Sequence, residues 1–237
     1  MDHTNPDRVR RVSRYAGLVG LVFLVLAFLS QNPPFYSDAS NAKMLSWVHA
    51  HPTALYVEGV RTGTMMVLMV GFLAVLMWRA GLRDPWRSGV WALLGASMAI
   101  DMVWMGVYDS LAFAGQHGIG DSGVLALATL TEQMTFTDGF LWGIAVLVIC
   151  VTALRTRTVA APVAWLGVVT AVVKVVEPSA QVAINKTSEG ITGPLGTVLL
   201  VFWVLAASLT LVIRPGSARA DVDVTETRLQ VAGNTRD

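Results

Sequence analysis

Cysteine occurs once in the 237 residues, as Cys150 inside an apolar run. A single thiol excludes an intrachain disulfide, a thiolate zinc cage and a thiol redox pair, and leaves Cys150 as a small core residue. Charge is also scarce. Only 14% of residues are Asp, Glu, Lys or Arg and the formal net charge is +1, which gives no field to recruit nucleic acid. A P-loop, a GxSxG elbow, an HExxH helix and a pair of histidines within apolar runs are all missing. Their absence disfavours ATPases, common hydrolases, zincins and b-type cytochromes, and no cofactor or metal site is expected.

What the chain has instead is apolar length. Hydrophobic residues make up 54% of it, or about 128 residues, and mean hydropathy is +0.58. Six spans of about 20 residues need about 120. Six stretches qualify: Tyr15 to Ser30, Ala54 to Trp78, Gly89 to Ala114, Leu125 to Leu154, Ala160 to Pro178 and Ile191 to Ile213. The expected fold is all-α, an integral bundle of six transmembrane helices in a lipid bilayer. Residues 1–14 form a basic N-terminus, 15–213 the membrane domain and 214–237 a flexible tail. A turn signal at Asn32-Pro33-Pro34 and a short interfacial helix over Ala39 to Ala50 are expected in the first long connection.

Thirteen of the 17 basic residues fall on one side of these spans: four arginines before the first, Arg79, Arg83 and Arg87 after the second, Arg155 and Arg157 after the fourth, and four after the sixth. Lys43 and Lys186 alone fall on the other, so the positive-inside rule places both termini in the cytoplasm of a cell-membrane protein.

Charged residues inside spans are costly and mark functional sites by default. Here they are Glu58, Arg61, Asp101, Asp109, Glu132, Asp138, Lys174 and Glu177. Counting about 1.5 Å per residue from the bordering arginine puts Asp101 about 21 Å in, and Asp138 and Lys174 about 25 Å in. All eight lie toward the outer side, while the cytoplasmic half of the spans is nearly free of ionisable groups. Glu58 with Arg61, and Lys174 with Glu177, are spaced i, i+3; Asp101, Trp104 and Tyr108 share a face, as do Thr131, Thr135 and Asp138. Six carboxyls against two bases mean that some must be protonated, paired with a cation or wetted.

Asp101, Asp138 and Lys174 are therefore the expected working centre, with Glu58, Arg61, Trp104, Tyr108, Asp109, Glu132 and Glu177 lining a ligand pocket. Gly95 and Ala99 form a small-xxx-small pair for close packing of the third helix. Pro178 is a candidate helix break, His49-Ala-His51 reads as a polar loop without a third metal ligand, and Asn185-Lys-Thr187 has the form of a glycosylation sequon.

The order of segments, the loop before Glu58, Asp101 in the third helix, Thr135-Phe-Thr-Asp-Gly-Phe leading to Arg155, and Pro162-Val-Ala-Trp-Leu-Gly resemble the DUF4386 group of bacterial membrane proteins. The resemblance implies a multi-pass membrane fold over about residues 10 to 213 and transfers no activity. From the residues, the first expectation is a one-sided pocket that binds a lipophilic or amphiphilic small molecule. The second is an isomerase, cyclase or hydrolase of a lipid or isoprenoid, with Asp101 or Asp138 as general acid and Lys174 or Arg61 orienting a polar head. The third is proton- or cation-coupled transport, which the scarcity of polar groups across the full thickness disfavours. Oligomeric state is left open.

Overall fold

The computed structural model describes residues 6–30, 40–118, 120–184 and 192–213. They form seven helices and, among the described residues, no strand: α1 (Pro6–Phe28), α2 (Asn41–Ala50), α3 (Pro52–Arg79), α4 (Trp86–His117), α5 (Asp121–Thr156), α6 (Ala161–Ile184) and α7 (Thr192–Ile213). All except α2 are long and apolar enough to cross a membrane.

Most helices outrun the apolar stretches that predict them, because a helix needs no apolar side chain once its ends reach water. The arginines at 8, 10, 11 and 14 sit on the first turns of α1 rather than ahead of it. The 36 residues of α5 amount to about 54 Å, well beyond the ~30 Å hydrocarbon layer, so its ends must project. Pro178 does not end α6, which continues to Ile184. It does withhold the N–H that would otherwise meet the carbonyl four residues earlier, that of Lys174.

The short helix expected over Ala39 to Ala50 is present as α2. Ser40 caps it by accepting from the Lys43 N–H at 3.4 Å, and Pro52 opens α3 immediately after it, where its missing N–H costs nothing. The loop over residues 31–39, the sequon at 185–187 and the tail from 214 lie outside the described residues, as does the side chain of Gln181.

The six long helices close into a ring in chain order: α1 packs on α3, α3 on α4, α4 on α5, α5 on α6, α6 on α7, and α7 back on α1. Short connections make sequence neighbours spatial neighbours, and only the α1–α7 seam is closed by packing alone. α2 lies across α3, α4 and α5 at the end opposite the arginine-rich connections. Inside the ring, Phe72, Leu73, Leu94, Ile149 and Trp203 are buried, with Phe72 edge-on to Trp203 at 6.0 Å. A second core beneath α2 contains Val48, Leu55, Tyr108, Leu111 and Val124. The outer surface carries exposed Val22, Val60, Val67, Met102, Val169 and Phe202, an apolar belt that suits lipid and not water.

Small residues set how closely the helices approach, but not at the expected pair. Gly95 and Ala99 are exposed on α4, and nothing lies within 4 Å of where a Cβ on Gly95 would stand. Close contacts occur instead at Gly59 and Gly63 of α3 against α4 and at Gly143 of α5 against α6, with Gly139 in ordinary contact with the Lys174 stem at 3.7 Å. Both pairs have GxxxG spacing. The α2–α4 contact works in the same way: a Cβ on Gly115 would stand 2.6 Å from the Val48 carbonyl oxygen. Gly115→Ala is therefore expected to loosen α2 by about 1–3 kcal/mol. Hydrogen exchange should show faster amide exchange over Asn41–Ala50 with little change in α5 and α6, and an unchanged α2 would show that this approach is not limiting.

Candidate functional site

The charged residues of the spans separate into three groups. On α3, Arg61 Nε donates to Glu58 Oε2 at 2.9 Å and its Nη2 reaches Glu58 Oε1. Arg61 Nη1 also donates to the Leu26 carbonyl at 3.0 Å, and the Ser30 hydroxyl donates to Glu58 Oε1 at 3.0 Å. This pair is a staple that joins the end of α1 to α3. Its i, i+3 spacing was legible in the sequence; its partners on α1 were not.

On α6, Lys174 Nζ donates to Glu177 Oε2 at 2.9 Å, and both residues are largely buried. Glycines on both sides make room for them. A Cβ on Gly143 would meet the Lys174 Cβ at 3.2 Å, and one on Gly196 of α7 would stand 3.1 Å from Nζ and 3.2 Å from Glu177 Oε2. The lysine stem thus runs along a glycine-lined seam, and its ammonium stays between helices.

The third group stands at the centre. Asp138 on α5 is buried and accepts from the Ser97 hydroxyl of α4, and Lys174 attracts its charge across the α5–α6 seam. Asp101 lies one turn beyond Ser97 on the same face of α4 and is only 3% exposed. Among the described residues neither of its buried carboxyl oxygens has a hydrogen-bond partner, and Asp138 is a neighbouring acid. Asp101 and Ser97 line a cavity of about 40 Å³, walled by Phe23 of α1, Met69 and Leu73 of α3, Trp142 of α5 and Leu200 of α7. The apolar parts of the first and last spans therefore serve as walls of this chamber.

Ser97 is the member that sequence reasoning missed; its place four residues before Asp101, on one helix face, was the available signal. The other expected lining residues lie elsewhere. Trp104 and Tyr108 stack on each other at 6.1 Å within the core beneath α2. Asp109 is exposed, and Glu132 is half-buried on α5. His49 Nδ1 lies 3.4 Å from the Gly115 carbonyl and His51 Nδ1 lies 3.0 Å from that of Trp47. Among the described residues no three His, Cys, Asp or Glu side chains meet as a metal site.

Among the described residues of the spans, four acids are buried, Glu58, Asp101, Asp138 and Glu177, and the two bases, Arg61 and Lys174, are partly buried. Each base closes one ion pair, which leaves Asp101 and Asp138 as the excess. A carboxylate without water or a hydrogen bond is the most expensive arrangement in a bundle. It must take a proton, a cation or a small polar guest. A cavity of about 40 Å³ admits one to a few water-sized species, given that a water occupies about 30 Å³ in the liquid. It does not admit an amphiphile, whose sites run to about 300–1,000 Å³. The chain matches no protein-family model, no curated protein and no solved structure.

Proposed function

We propose that this multi-pass membrane protein is proton-responsive, with Asp101 and Asp138 at the centre of the helix ring binding and releasing a proton between them. One observation carries the reading: Asp101 is buried, has no hydrogen-bond partner and shares its small cavity with the Ser97 that serves Asp138. Neighbouring carboxyls whose charges interact in a bundle interior titrate as a unit. Intramembrane acids in this position serve proton relays and coupled conformational changes. Asp101 is the site's acid, Asp138 its partner, and Lys174 with Glu177 an adjoining ion pair that is neutral in itself.

The catalytic reading keeps Asp101 as a general acid but finds no room beside it for a lipid or isoprenoid, and the amphiphile reading meets the same limit at this cluster. The DUF4386-like pattern belongs to this proposal as a statement of kinship, without chemistry.

Infrared difference spectra of the reconstituted protein across a pH step test the proposal. A carboxyl band that changes in the wild type should vanish in Asp101→Asn and persist in Glu58→Gln, whose carboxyl is lost from the α1–α3 staple instead. A band that survives in Asp101→Asn would place the titrating group elsewhere. Proton flux in proteoliposomes that is lost in Asp101→Asn would extend the reading to proton-coupled transport.

A further inference from the structure

A second site, unrelated to the acid pair, opens at the arginine-rich end. We propose that the groove between the α3–α4 connection and the last turns of α5 binds an anionic phospholipid, with its phosphate on Arg83 and Arg155, beside Arg79, and the upper part of an acyl chain along α5. The groove encloses about 740 Å³ and is lined by these three arginines from three separate segments: the end of α3, the connection and the end of α5. Asp84 is its one acidic lining residue. The Ser88 hydroxyl and the Arg87 guanidinium, each 2.7 Å from an Asp84 carboxyl oxygen, hold that carboxyl below the usual carboxylate range. Three cations against one anion leave the lining positive.

The rest of the lining distinguishes a lipid from a free anion. Leu147, Val148 and Val151 form an apolar wall below Arg155, and the eight residues from Arg155 to Leu147 amount to about 12 Å of helix. The threonines there are already engaged: Thr152 Oγ1 donates to the Val148 carbonyl at 2.8 Å, and Thr156 Oγ1 lies 3.2 Å from the Ala80 carbonyl and 2.9 Å from that of Thr152. Arg79 Nη1 likewise donates to the Ser13 hydroxyl at 3.1 Å, so recognition falls to Arg83 and Arg155, whose forked guanidinium geometry suits phosphate. Trp86, 66% exposed, stands at the rim, where an indole suits the headgroup level. A basic pocket at the end of a helix bundle, opening onto an apolar seam, has the chemistry of an acidic-lipid site.

The test is native mass spectrometry of the full chain released from micelles containing phosphatidylglycerol and phosphatidylcholine with matched acyl chains. The wild type should retain phosphatidylglycerol, and Arg83→Gln/Arg155→Gln should lower that retention about thirtyfold, as expected from about 1 kcal/mol for each of the two basic residues. Lys43→Gln, which removes a cation at the opposite end, should leave retention unchanged, and Val148→Trp should reduce it with the charges intact. Equal retention by the wild type and the double arginine variant would overturn the proposal. So would displacement of the lipid by inorganic phosphate with Val148→Trp showing no effect, which would make the groove a soluble-anion site.

Discussion

Arg61→Ala is expected to cost about 3–5 kcal/mol, the range for removing one partner of a buried ion pair. The guanidinium serves two helices. It holds both oxygens of Glu58, which is only 2% exposed, and it donates to the Leu26 carbonyl in the last turns of α1. Its loss leaves a carboxylate in the α1–α3 seam without its cation. For a chain of this size each kcal/mol is worth roughly 2–4 °C, so the midpoint in mild detergent should fall by about 10 °C. Glu58→Gln/Arg61→Met should recover most of that loss, because the uncompensated charge has gone. A midpoint within about 2 °C of wild type for Arg61→Ala would show that the pair is wet and not a staple.

Asp101→Leu is expected to act in the opposite direction and stabilise the bundle by about 1–4 kcal/mol, as buried polar-to-apolar replacements often do. The carboxyl has no hydrogen bond to lose, and the leucine fills part of a cavity already walled by Phe23, Met69, Leu73 and Trp142. The same change at Asp138 should destabilise by about 1–3 kcal/mol, because it orphans the Ser97 hydroxyl and removes the acid facing Lys174. Chemical unfolding of both variants checks this. The contrast in sign identifies Asp101 as a residue kept at the expense of stability, the pattern expected of a working group. If both variants were destabilised equally, Asp101 would have partners that matter to the fold.

Much of this architecture was legible before any coordinates. Helical spacing placed Glu58 on Arg61 and Lys174 on Glu177, since residues three apart on one helix are neighbours whatever surrounds them. Asp101 and Asp138 stood out because a charge deep in an apolar run is costly wherever the helix turns. Face sharing alone did not reveal where Trp104 and Tyr108 pack. They share the face of Asp101, but α2 covers that part of α4 and takes both aromatics into its own core. Helical spacing also chose Gly95 over Gly139 and Gly143, since a small-xxx-small pattern does not say whether a helix or lipid faces it.

The sequence by itself determined the number of long helices, their approximate spans, the segregation of arginine and the two local ion pairs, because periodicity and transfer energy act within one helix. Tertiary structure decided how each helix is rotated about its axis, and with it which acids meet. Only the closed ring brings Ser97 to Asp138, walls Asp101 away from water, and gathers Arg79, Arg83 and Arg155 around one groove. These pairings depend on contacts between helices, where the energy belongs to the contact and to neither sequence segment alone.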